Sequence, residues 1–138
     1  MVTQQATVLQ LYAAAWLKPD AATLASYYDG AGVYEDAGLG VRCEGKAAIR
    51  EFLASMLQAF PDTKVEVIFT FEADGFAAAE WTMTGTQTGD LPGLPATGRS
   101  FLVRGASIVE FAGDLIRRNT DYWDQASMLR QLGVLPEA

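Results

Sequence analysis

The chain has 138 residues and a net charge of −7, with half its residues apolar and 20% charged, which is the size and balance of one globular domain. The negative charge excludes the basic footprint of a protein that binds nucleic acid or an anionic membrane. A single cysteine, Cys43, excludes an internal disulfide, and the lack of histidine removes the commonest general base and metal ligand.

The opening residues, Met-Val-Thr-Gln-Gln, do not resemble a signal peptide, and no apolar run reaches membrane-spanning length. A cytoplasmic location is expected. Thr3 can cap a first helix over residues 4–16, with Val8, Leu9, Tyr12, Ala15 and Trp16 as its buried stripe. Lys18-Pro19-Asp20 breaks it, and a short helix over residues 21–28 ends at Asp29-Gly30. Residues 32–36 read as a strand with Tyr34 and Asp36 on one face and Val33 and Glu35 on the other. After the Gly38-Leu39-Gly40 bend and a brief extended piece to Glu44, residues 46–60 form the clearest helix. Its apolar face is Ile49, Phe52, Leu53, Met56, Leu57 and Phe60.

From residue 64 the period changes to two. Residues 64–72 place Val65, Val67, Phe69 and Phe71 on one face, and Asp74-Gly75 signals a hairpin. Residues 76–87 oppose Trp81 and Met83 to Glu80, Thr82 and Thr84. Residues 99–111 align Phe101, Val103, Ser107, Val109 and Phe111, interrupted by Gly105. Glycines at 85 and 105 suggest bends or bulges. Helices first and a meander of long strands after them predict an α+β domain, with helices packed on a strongly curved antiparallel sheet that leaves a cavity.

The last strand, residues 115–124, carries the densest chemistry. Strict alternation puts Arg117, Asn119, Asp121 and Trp123 on one face and Ile116, Arg118, Thr120, Tyr122 and Asp124 on the other. An amide, a carboxylate and an indole in a row suit a pocket wall. A carboxylate among apolar walls has a raised pKa and becomes a better base near neutral pH, and Asp36 and Asp121 are both candidates. Taken singly, each is more simply a solvated strand-end acid, and Asp124 is most simply a helix N-cap. Tyr12 is either a core tyrosine or a phenol aimed into the pocket. Metal binding is poorly supported, and no phosphate loop, dinucleotide fingerprint or nucleophile elbow is present.

Residues 85–89 (Gly-Thr-Gln-Thr-Gly), 93–99, 104–107, Asp121-Tyr-Trp-Asp124 and residues 129–133 resemble the SnoaL-like polyketide cyclase family, within the NTF2-like or ketosteroid isomerase-like superfamily. Residues 8–12, Val33-Tyr-Glu-Asp36 and residues 45–52 are similar to ketosteroid isomerase itself. The resemblance implies the NTF2-like cone, a cystatin-like α+β barrel, formed as a homodimer through the sheets. It implies Asp36 as the isomerase base, Tyr12 as its oxyanion donor, and Asp121 as the cyclase aspartate. The isomerase's second oxyanion donor and a cyclase histidine both fall at or near Ser107, and two further family histidines are replaced by Gln87 and Asn119.

The expected function is cofactor-independent proton transfer next to a carbonyl on a small apolar ketone, polyketide- or steroid-like, giving cyclisation or isomerisation. Asp36 or Asp121 is the base, and Tyr12, with Ser107 and Asn119, stabilises the enolate. Trp81, Met83, Phe101, Val103 and Trp123 are wall candidates. Two alternatives stand beside it. One is activation of water for epoxide opening or dehydration, with Asn119 or Arg104 set between two aspartates. The other is a non-catalytic binding or dimerisation module.

Overall fold

Thr7 starts the first helix in the computed structural model, which describes residues 7–136. Its hydroxyl accepts from the Gln10 N–H, and the Gln10 side chain accepts from the Thr7 N–H, a reciprocal cap ahead of α1 (Val8–Ala15). The expected cap, Thr3, lies outside the described residues, and the extended backbone at Thr7 stops the helix from running through it. Asp20 caps α2 (Ala21–Ser26) by accepting from the Thr23 N–H. This helix is shorter than expected. Tyr28 opens β1 (Tyr28–Asp36) because it pairs with Ile116, whose N–H reaches the Tyr27 carbonyl.

After β2 (Val41–Glu44) and α3 (Lys46–Ala59) come β3 (Lys64–Ala73), β4 (Phe76–Thr86), β5 (Ser100–Ala112), β6 (Leu115–Trp123) and α4 (Gln125–Gln131). Asp124 is indeed the N-cap of α4, accepting from the Ser127 N–H. The six strands form one curved, unclosed sheet in the order β2-β1-β6-β5-β4-β3. Neighbours are antiparallel except β1 and β6, which run parallel. That pair is invisible in the strand alternation, and it brings the first strand of the chain beside the last.

Two bulges overturn parts of the expected facing. In β3, Val67 pairs with Trp81 but Phe69 pairs with Glu80, so Ile68 is left over and the strand rolls. Val65 stays inside, whereas Phe69 and Phe71 turn outward, 47% and 68% exposed. In β6, Ile116 pairs with Phe111 and Arg118 with Glu110, leaving Arg117 without a partner. Ile116 therefore joins the inner face, fully buried, and Arg117 is exposed. Strict alternation assigned both to the opposite sides, since one extra residue inverts everything on one side of it.

Gly85 and Gly105, by contrast, mark no bulge. Pairing runs unbroken through Gly85–Phe101 and Trp81–Gly105. Each glycine instead makes room for a ring: a Cβ on Gly105 would sit 2.3 Å from the Trp81 indole, and one on Gly85 would sit 3.1 Å from Phe101.

The core divides around the future site. At one end, Leu9, Leu24, Tyr28, Ile49, Leu53 and Ile116 join the three N-terminal helices to the sheet. At the other end, Phe60, Phe101, Val103, Met128 and Leu132 anchor α4. Among the described residues no helix is long and apolar enough to cross a membrane.

Candidate active site

Sheet register assembles the site rung by rung. Asp36 pairs with Asp121, which pairs with Ser107, which pairs with Ala79, so four strands contribute to one transverse row. The next row is Tyr34, Asn119, Val109 and Ala77, and the row on the other side carries Trp123, Gly105 and Trp81. All these side chains share the concave face. Above them α1 lays Tyr12 and Trp16, leaving a cavity of about 610 Å³ including its open mouth. A second hollow of about 500 Å³ adjoins it, lined by Phe52, Met56, Phe60 and Phe101, and shares Tyr34, Asp36 and Trp123 with the first.

Asp121 is the hub. Its Oδ1 accepts from Ser107 Oγ (2.5 Å) and Asn119 Nδ2 (2.8 Å), and its Oδ2 accepts from the Tyr34 hydroxyl (2.7 Å). Ser107 in turn accepts from Trp81 Nε1 at 2.8 Å. Burial pushes the Asp121 carboxyl up, opposed by these three donors. Asp36 is held differently: its Oδ1 accepts from Trp123 Nε1 (2.8 Å) and the Leu39 N–H (2.9 Å). Burial drives its carboxyl up to about 6, against the Leu39, Trp123 and Gly38 N–H groups and with help from the Asp121 charge. Tyr12 shares a 2.7 Å hydrogen bond with the Tyr28 hydroxyl. Burial and the Asp121 charge raise the Tyr12 phenol, and the bond to Tyr28 lowers it.

Of the residues expected from sequence, Asp36, Asp121, Tyr12, Trp81, Met83, Ser107, Asn119 and Trp123 all line the main cavity. Phe101 lines the adjoining hollow instead. Val103 reaches neither and is plain core, 4% exposed against Phe60 and Met128. Gln87 is fully buried away from the cavity, where its amide ties the 88–98 loop through Leu94, Pro95 and Thr97. Arg104 stands on the outer face, 3.2 Å from Glu80, and cannot sit between the two aspartates. Sequence reasoning missed Tyr34, Trp16 and Tyr28 as site residues. Tyr34 was legible as the inward neighbour of Asp36, and Trp16 as one turn beyond Tyr12. Tyr28 was hidden by its assignment to a helix end. Among the described residues no cluster of three or more acidic or cysteine side chains is placed to hold a metal ion.

The model of the SnoaL-like polyketide cyclase family matches residues 6–132. The chain belongs to that family. As a SnoaL-like protein it has the ketosteroid isomerase-like fold of its structural neighbours. It is similar to a protein of that fold from Catenulispora acidiphila, solved in complex with trimethylamine (21% identity, 96% of each chain covered, TM-score 0.82). It is also similar to AclR, a proposed hydroxylase from Streptomyces galilaeus (21% identity, 95% of this chain and 85% of AclR, TM-score 0.80). A third neighbour is a proposed polyketide cyclase from Pseudomonas putida (22% identity, 92% and 98% covered, TM-score 0.78). No curated protein matches the chain in sequence. In this SnoaL-like chain Asp121 is the hub, and Ser107 and Asn119 are its two Oδ1 donors.

Proposed function

We propose that the chain is a cofactor-independent enzyme that moves a proton next to a carbonyl on an apolar, polyketide- or steroid-like molecule, as a cyclase or ketone isomerase. One observation carries the choice of base. Both Asp121 oxygens are taken by three side-chain donors, whereas no side-chain donor reaches Asp36 Oδ2 among the described residues. A proton arriving at Asp36 therefore meets an oxygen held by no side chain, whereas either Asp121 oxygen already accepts at least one side-chain hydrogen bond. Asp36 also titrates near the pH at which a base works best.

In this mechanism the substrate carbonyl lies toward α1, with its acidic C–H at Asp36. Tyr28 is fully buried, with the Tyr12 hydroxyl as its partner. With Tyr28 donating, the Tyr12 proton is turned into the cavity, where it meets the developing enolate oxygen. Ser107 does not share that task. It accepts from Trp81 and donates to Asp121, so it and Asn119 orient Asp121. Asp36 then returns the proton to another carbon, which isomerises the ketone, or the carbanion closes a ring on a second carbonyl. The outward position of Arg104 removes one of the two residues that water activation between paired aspartates would use, and the open cavity weighs against a purely packed module.

The test is hydrogen–deuterium exchange at the α-carbon of cyclic ketones and β-dicarbonyls in D2O. Wild type is expected to accelerate it, and Tyr12→Phe to slow it by about 10²- to 10³-fold. A wild-type protein inert toward every ketone in the panel would remove the enzyme reading.

We also propose a homodimer through the outer face of the sheet. Phe71, Ala78 and Ile108 are neighbours in one outward row, and Ile68, Phe69 and Leu102 extend the exposed apolar surface. A second copy suits this face because the Arg104–Glu80 pair it carries is self-complementary about a two-fold axis. Sedimentation should give twice the chain mass, and Phe71→Glu should give the single chain mass with unchanged secondary structure.

A further inference from the structure

Two properties of the cavity are not needed for binding an uncharged ketone. The first is its charge. Among the described residues the lining contains Asp36 and Asp121 and no lysine or arginine. The arginines of the neighbouring strands stand outside the cone, where Arg104 faces Glu80, Arg118 faces Glu110 and Glu35, and Arg42 faces Glu35. Carboxylates in a desolvated wall call for a positive partner, and the described residues place none there.

The second property is the presentation of the indoles. A Cβ on Gly105 would lie 2.3 Å from Trp81 Cη2 and 2.6 Å from both Cζ2 and Cζ3. Those are the distances of a point over the ring face, since a point beyond the ring edge would be markedly farther from the two flanking atoms. A Cβ on Gly38 would lie 2.7 Å from Trp123 Cε2 and Nε1 and 3.0 Å from Cδ1, over the five-membered ring. Each indole thus has a glycine backbone stacked on one face, and both rings line the cavity. Their N–H groups are already spent, Trp123 on Asp36 and Trp81 on Ser107. The two rings therefore offer a ligand their electron-rich faces and no donors. Trp81 lies one hydroxyl away from Asp121 through Ser107.

We infer that the ligand is an organic cation: a carbonyl compound whose apolar body carries a protonated or quaternary amine, seated on the Trp81 and Trp123 faces with Asp121 as its counter-ion. Asp121 keeps its three neutral donors and gains the missing positive charge. Asp36 remains for the proton, a division of labour that rests on the function proposed above. Recognition of the cation does not depend on it.

The experiment is calorimetric titration of the protein with choline and with 3,3-dimethylbutan-1-ol, which have the same shape and differ by a carbon in place of the charged nitrogen. Wild type is expected to bind choline at least about tenfold more tightly than the alcohol. Asp121→Asn, shown to be folded by its thermal transition, should erase most of that preference and leave the alcohol unaffected. Equal binding of the two compounds, no binding of choline, or a full choline preference retained in folded Asp121→Asn would overturn the inference. The wild-type comparison stands even if the variant fails to fold. Ketone exchange in D2O reports separately on Asp36: choline preference without exchange would keep the cation site and remove the proton-transfer function, and exchange without choline preference would do the reverse.

Discussion

Asp36→Asn is expected to cut α-proton exchange by about 10²- to 10⁴-fold, the usual loss when a positioned general base is removed. The substitution is nearly isosteric. The asparagine carbonyl can still accept from Trp123 Nε1 and the Leu39 N–H, and the new amide takes the place of Oδ2, which no side-chain donor reaches. Geometry is therefore kept while the basic lone pair is lost. Wild-type kcat/KM for exchange should rise with pH through about 6 as Asp36 ionises and then level off. At pH 5 it should be about one-tenth of the plateau, by simple titration of one group. Asp121→Asn should not reproduce that profile. If Asp121→Asn alone abolished exchange and Asp36→Asn left it intact, the base would be Asp121.

The same substitution should stabilise the protein above neutral pH. In the unfolded chain Asp36 ionises near 3.8, and in the fold near 6. Below pH 3.8 both states carry the proton and the group is neutral toward folding. Between the two values the folded state holds a proton that the unfolded state has lost, so stability falls as pH rises. Above 6 the penalty is complete, about 3 kcal/mol. Asp36→Asn removes it. Chemical denaturation at pH 8 should therefore show the variant more stable by up to about 3 kcal/mol, with the gain nearly gone at pH 3.5. An inactive variant more stable than wild type is the signature of a group kept for chemistry at the expense of folding. A variant no more stable at pH 8 would mean that Asp36 is not strained by burial in this way.

How much of this was legible in the chain differs from element to element. Within single strands, alternation was enough to turn Tyr34 and Asp36, Trp81 and Met83, and Asn119, Asp121 and Trp123 to the inner face. The spacing of α3 and the cap at Asp124 were equally plain. These are properties of a few consecutive residues, set by the two-residue and 3.6-residue periods of the backbone. The same local rule failed at Ile68 and Arg117, because a bulge depends on the partner strand and leaves no mark in its own.

The sequence alone determined the helices-then-strands order, the negative and histidine-free chemistry, and the carboxylates and aromatics available for a site. Tertiary structure decided which of them meet. Only the parallel pairing of β1 with β6 sets Asp36 beside Asp121 and lets Tyr34 reach Asp121 across 87 residues of chain. It also decided that Ser107 and Asn119 serve Asp121, that Arg104 stays outside, and that Val103 is core. Contacts of that range depend on register between distant strands, and register is chosen by the packing of the whole sheet against its helices.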